Sequence, residues 1–244
     1  GAAAAASGSA LLLVEPTTLP SAIRNEVIRL GATRAIIAGG TSAVSDAVAT
    51  ALRNLGVDVE RMAGTDRFDT AAQVAARFFP DGADTVYVAT GVNYPDALAA
   101  VPAAAIDGAP ILLVSDTISA STRAELIRLS PKRIVILGGT AAVSTAVADQ
   151  ARTMTGATVT RIGGADRYGT AVQLSRRSFD HASTVFVTTG TDFVDALISG
   201  PTANELGGPV LLTPPIGIPA GVRAEIERLR PDRIVFVGST GDLP

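Results

Sequence analysis

Cysteine is absent from the 244 residues, which excludes a disulfide framework and any thiolate-ligated metal. Tryptophan is absent too, and aromatic residues make up only 4% of the chain, so a core must be built from Ala, Val, Ile and Leu. One histidine, His181, leaves no His-rich metal site and no ordinary nucleophile–base pair. Lys132 is the single lysine among 20 basic residues, a bias that fits a GC-rich genome. Basic excess is missing: the net charge is −3, whereas nucleic-acid binders draw affinity from phosphate neutralisation. No apolar run approaches the roughly 18 residues that a membrane-spanning helix needs. The opening GAAAAASGSA has no charged n-region and does not read as an intact secretory signal. It reads as a low-complexity tail over residues 1–9, set aside from the fold.

What remains is 47% apolar, enough for a sizeable core. It is also repetitive. RMAGTDRFDTAAQVA from Arg61 returns as RIGGADRYGTAVQLS from Arg161. ATGVNYPDALAA from Ala89 returns as TTGTDFVDALIS from Thr188. RAIIAGGTSAVS, RIVILGGTAAVS and RIVFVGSTGD start at Arg34, Arg133 and Arg233, while LLLV, ILLV and VLLT start at Leu11, Ile111 and Val210. The same phrases recur in the same order.

Within one period, short continuous apolar runs (TVYVAT, PILLVS, RIVILGG, TVTRIGG) read as parallel strands buried on both faces. Between them lie segments with helical spacing. STRAELIRL places Leu126 and Leu129 on one face, with Arg123, Glu125 and Arg128 expected outside. Each period thus holds four βα units. The predicted fold is α/β: tandem modules, each a mostly parallel sheet with helices on both faces. The expected divisions are a partial repeat over 10–60, a complete repeat over 61–160 and a repeat over 161–244 truncated at its C-terminal end.

Ligands of open parallel sheets sit at the carboxyl ends of strands, where helices begin. The repeated polar phrases fall there. Two readings stand side by side. Asp66 and Asp166 can be N-caps, and Arg67 and Arg167 can pair with a carboxylate of their own module, Asp96 or Asp195. Alternatively these arginines and nearby backbone amides receive an anion. Gly39-Gly40-Thr41 and Gly138-Gly139-Thr140 resemble phosphate-cradling turns but match neither nucleotide fingerprint, and tight turns explain them as well. The third copy (Gly238, Ser239, Thr240) has one glycine fewer. The candidate ligand-binding residues are Asp66, Arg67, Gly91, Asn93, Asp96, Asp166, Arg167, Gly190, Asp192 and Asp195. No catalytic residue, metal ligand or cofactor is expected.

The phrases GxDRYxTA, TGxNFPDALA, PILL and IVILGGTxAVS resemble the signature of the type 2 cell-wall-binding repeat of Gram-positive bacteria. Arg61 to Ser144 carries all four, Arg161 to Thr240 nearly all, and Leu11 to Ser45 the second half. Phe193-Val194 stands where the family has an aromatic-Pro pair. The resemblance implies modules that come as three in tandem and pack as a pseudo-threefold trimer within one chain. It implies a non-catalytic anchor that holds secreted proteins to an anionic wall polymer similar to teichoic acid, at the cell surface. Peptidoglycan is the other wall partner, and a trimer of modules is expected within or between chains. An acidic chain would meet such a polymer through Arg67, Arg167 and helix N-termini, or through a cation bridged by Asp96 and Asp195. Two other functions compete: a small-anion receptor or hydrolase with one strand-end site, and a structural spacer.

Overall fold

The computed structural model describes residues 1–93 and 95–239, and Tyr94 and Thr240 of the repeated phrases lie outside them. In chain order the elements are α1 (Ala2–Ala6), α2 (Ser21–Arg29), β1 (Arg34–Ala38), α3 (Asp46–Arg53), β2 (Asp58–Met62), α4 (Arg67–Phe78) and β3 (Thr85–Thr90). Next come α5 (Pro95–Ala99), α6 (Val101–Ile106), β4 (Ile111–Val114), α7 (Ala120–Leu129), β5 (Arg133–Leu137), α8 (Thr145–Thr155) and β6 (Thr158–Ile162). The described chain closes with α9 (Arg167–Ser178), β7 (Thr184–Thr189), α10 (Val194–Glu205), β8 (Val210–Thr213), α11 (Ala220–Leu229) and β9 (Arg233–Val237).

The strands form three separate sheets, ordered β1-β2, β4-β3-β5-β6 and β8-β7-β9, and every pairing is parallel. The α/β class and the parallel strands predicted from the apolar runs are therefore what forms.

Strand alternation divides the second and third sheets between two cores each, while the first sheet, with Ile36 exposed, covers one. In β3, Val86 and Val88 point to a core under α4, α7 and α8, with Leu126, Ile134 and Val147. Tyr87 and Ala89 point the other way, into a cluster shared with Phe186, Val210 and Leu212 of the third sheet. This second core contains Ala99, Ala100, Ala103, Ala104, Ala196 and Ala203, from α5, α6, α10 and the residue between α5 and α6. Methyl-sized side chains let those helices approach closely, so the second and third sheets are fastened back to back.

The alanine-rich start, excluded from the fold on its composition, is part of this junction. Helix α1 packs on both α6 and α10. Gly1 and Gly200 correspond to Val101 at repeat offsets of 100 and 99, and the three positions meet. A side chain at Gly1 would sit 2.6 Å from Val101 Cγ2, and one at Gly200 would sit 2.7 Å from Val101 Cβ. Only one of the three positions can carry a side chain, which explains the glycines.

The recurrence of a phrase does not always carry its structure, and one further expectation needs correction. Residues 11–14, whose phrase returns in β4 and β8, are not a strand. The equivalent β4 and β8 pair with β3 and β7, but residues 1–10 hold no such partner, and Leu12 and Val14 pack against Val27 and Val48 instead. Glu125 is not on the solvent face: it is only 5% exposed, and Glu225 at the same repeat position is fully covered. Each clamps an arginine one turn on, Arg128 or Arg228, through two bonds of 2.7–2.9 Å. Those arginines also donate to Phe79 and Pro80, or Phe179 and Asp180, carbonyls at the ends of α4 and α9 that lack helical partners. The glutamate is buried because it orients a cation that caps the neighbouring helix.

Glu225 further accepts from Ser175 and Arg176. Burial works to raise its pKa, but the bonds from Arg228, Ser175 and Arg176 prevail and hold it below the ordinary carboxylate value. Glu26 and Arg29 make the same pair in α2 with both side chains in solvent. Glu225→Ala is expected to cost about 1–3 kcal/mol in urea unfolding, since it strands the buried Ser175 hydroxyl and releases Arg228, whereas Glu26→Ala is expected to leave the urea midpoint nearly unchanged. A carboxyl whose folded pKa is depressed stabilises above its unfolded pKa, so the contribution of Glu225 fades only as pH falls below about 4.

Candidate functional site

In the complete sheet the chain runs from β3 outward to β4, then returns to place β5 on the other side of β3. That reversal lies between β3 and β5, where doubly wound sheets hold their ligands. The residues beyond those two strand ends are Gly91 to Asp96 and Gly138 to Thr140.

Asp66 and Asp166 are the N-caps that their sequence position suggests. Asp66 Oδ1 accepts from the N–H groups of Phe68 and Asp69, both at 2.8 Å, and Asp166 Oδ1 accepts from Gly169 N–H at 2.7 Å. Arg67 and Arg167 are both engaged by backbone carbonyls. Each turns Nη1 to the carbonyl at the end of its module's first strand, Arg67 to Gly91 at 2.6 Å and Arg167 to Gly190. Phe68 and Tyr168 pack against the same two glycines.

The first arginine of each phrase, absent from the candidate residues, has a parallel task. Arg61 donates to the carbonyls of Gly39 and Val44 at 2.8 and 2.7 Å, and Arg161 to those of Gly138 and Gly139 at 2.9 and 3.1 Å. Burial lowers the Arg161 pKa from its ordinary value. The GG turns are thus held from behind by a cation. Their repetition with the arginine, one period apart, was the signal that could have linked them.

Asp96 is where two repeats meet. Gly138, in the left-handed region at φ 85°, leaves space that Asp96 Oδ2 enters, and any side chain there would collide with it. Burial pushes the Asp96 pKa up, against the opposing pull of Thr170 and Arg167. Both of those residues belong to α9, so the crevice between β3 and β5 is closed by the following repeat. Asp192 Oδ1 accepts from Val194 N–H, and Asn93 and Asp192 are exposed on the two equivalent loops. Asp195 is half-buried, and its carbonyl accepts from Ser199. The structure therefore gathers Asp96, Arg167 and Gly190 at one junction, and places Asp66, Arg67, Gly91 and Asn93 at the start of the complete repeat. Among the described residues no cluster of three or more Asp, Glu or His side chains could cage a metal ion, and no helix is long and apolar enough to cross a membrane.

Two-faced parallel sheets, joined through small-residue helices and carrying arginine-locked loops, define a tandem α/β repeat protein. The chain belongs to the Cell wall binding domain 2 (CWB2) family, whose profile matches residues 61–148 and 161–244. It is similar to the N-acetylmuramoyl-L-alanine amidase LytC of Bacillus subtilis, 31% identical over 84% of this chain and 40% of that protein. It is similar also to the Amidase enhancer of the same organism, 27% identical over 96% of this chain and 32% of that one. Among solved structures, Cwp8 from Clostridium difficile superposes with a TM-score of 0.88 at 27% identity, over 99% of this chain and 42% of that one. Cwp6 from the same organism shares the fold with a TM-score of 0.89 at 24% identity. The chain spans about a third to two-fifths of the length of these proteins.

A carboxyl with a raised folded pKa opposes folding once ionised. The native state binds the extra proton between the ordinary Asp value and the raised one, so stability falls as pH rises through that window. Asp96→Asn keeps an acceptor for Thr170 and removes the buried charge. Its melting temperature is expected to match wild type near pH 4 and to exceed it by a few degrees at pH 7 in a calorimetric pH series.

Proposed function

We propose that this chain is a non-catalytic envelope-binding module that anchors a secreted protein non-covalently to an anionic secondary polymer of the cell wall, outside the cell. One observation carries the reading: in a member of a wall-binding family, the same polar groups stand at equivalent strand ends in successive repeats. Arg67 is the sharpest example. One guanidinium nitrogen holds Gly91, and among the described residues its remaining N–H groups have no protein partner. Bidentate phosphate recognition needs such groups. Arg167, facing Asp96 across the repeat junction, offers a partly neutralised version of the same group. We further propose that the modules form their trimer within one chain, since α1, α6 and α10 already meet. Several weak sites in fixed relation would bind a polymer far more tightly than any one of them.

The purified chain is expected to sediment with Gram-positive walls and to stay in solution when hydrofluoric acid has stripped their phosphodiester-linked polymers. Equal sedimentation with both preparations would shift the ligand to peptidoglycan, and none with either would overturn the reading. The pair Arg67→Ala and Arg167→Ala is expected to reduce wall retention about tenfold or more. A circular-dichroism melt separates that loss from unfolding, since both arginines also lock a loop. Unchanged retention by the folded double variant would remove these residues from the site.

A further inference from the structure

The two DR-containing repeats differ sharply at one place. Between the first turns of α9 and α11 lies a groove of about 260 Å³. The equivalent place in the preceding repeat is crossed by a polar mesh. There Asp69 Oδ2 accepts from Thr65 N–H at 2.9 Å, and Ser119 bonds Ser121, Thr122 Oγ1 and Thr122 N–H at 3.0–3.1 Å. In the later repeat every member of that mesh is replaced: Gly169 for Asp69, Pro219 for Ser119, Gly221 for Ser121 and Val222 for Thr122.

The replacements leave a floor with a defined chemistry. Tyr168 and Pro219 supply an aromatic and aliphatic surface, with the buried Val172 and Val222 beneath it. Among the described residues the Tyr168 hydroxyl has no hydrogen-bond partner, and Ala165 N–H has lost the acceptor that Thr65 N–H finds in Asp69. Asp166 gives Oδ1 to its cap, and among the described residues Oδ2 takes no bond. The loop before α11 carries Ile216, 91% exposed. One carboxylate and no cation line the groove. That disfavours a phosphate and favours a neutral, hydroxyl-bearing ring that can donate to Asp166, accept from Ala165 and Tyr168, and lay C–H groups on the apolar floor.

We infer that this groove is a saccharide subsite, confined to the later repeat, which takes one neutral pyranose ring of a wall glycan. The choice of a wall glycan rests on the wall-binding reading; the groove's preference for an uncharged sugar does not. It is separate from the strand-end arginines and recognises sugar rather than phosphate.

Saturation-transfer NMR with a neutral N-acetylglucosamine disaccharide, beside wall sedimentation of the same chain, tests it. Gly221 lines the groove and a Cβ there would meet no atom within 4 Å, so Gly221→Leu adds bulk beside the groove at a helical position with room for its first carbon. The wild type is expected to show ring-proton saturation, Gly221→Leu to lose it at least tenfold, and Tyr168→Phe to weaken it several-fold while keeping the packing. Absent saturation in the wild type, or saturation unchanged in Gly221→Leu, would overturn the inference. Wall sedimentation without disaccharide binding sinks the groove and spares the anchor. Disaccharide binding without sedimentation does the reverse.

Discussion

The joining of repeats in this fold depends on the second and third sheets having two apolar faces. A parallel strand such as β3 buries Val86 and Val88 on one side and Tyr87 and Ala89 on the other, all at 1% exposure or less. Helices α4, α7 and α8 cover the first side. The second can be covered only by something that also faces another sheet, because α5 and α6 are short and small. The shared cluster of Ala99, Ala103, Ala104, Ala196, Phe186 and Val210 meets that need. A module is thus incomplete by itself and finds its second core in its neighbour, as stacked repeat architectures require.

That dependence explains why polar letters recur. Strand-end loops at such a junction need fixed shapes, or the following helix cannot dock. Arginine is suited to fixing them, since it stays charged and presents several donors in one plane. Arg61 and Arg161 hold the GG turns, while Arg67 and Arg167 hold Gly91 and Gly190. A charge-assisted bond to a carbonyl contributes about 1.5–3 kcal/mol, so each phrase is worth keeping for structure alone. Tyr87 adds a link of another kind. Its hydroxyl meets Asp107 and the Arg177 guanidinium, tying β3 to the helix of the next repeat, and burial pushes its pKa above the normal phenol range.

Much of this was legible in the sequence, and what was not has a physical cause. The strands of the complete repeat were visible because burial on both faces leaves continuous apolar runs, and the N-caps because Asp stands one residue before each helix. Residues 11–14 share the phrase of β4 and β8 without forming a strand, because an apolar run encodes burial and only a partner makes it a strand. The alanine run looked featureless because alanine was read as the absence of information; at a crowded helix junction, absence of bulk is the information. Glu125 was placed in solvent because helical periodicity sorts charged from apolar, with no way of seeing an arginine that needs a carboxylate behind it. The partner of Asp96 was missed for a related reason. Thr170 and Arg167 belong to the next repeat, and sequence reasoning paired residues inside a module.

Departures between repeats say more about ligand chemistry than the recurrences do. A polar group kept in both copies has a structural duty wherever it locks a loop, as all four phrase arginines do, so its recurrence cannot by itself mark a binding site. A group dropped in one copy has no such duty there, and what its loss exposes is free to act. Asp69 closes its own turn by taking Thr65 N–H, whereas Gly169 leaves Ala165 N–H open. Ser119 caps α7, whereas Pro219 begins α11 without any side-chain cap. Losing the Ser119 cap forgoes about 1 kcal/mol, while Val222 in the place of Thr122 adds an aliphatic side chain to the cluster under α11. The polar bonds lost beside Tyr168 are thus exchanged for apolar contacts, and a surface that has shed its own hydrogen bonds leaves donors and acceptors for a ligand to meet.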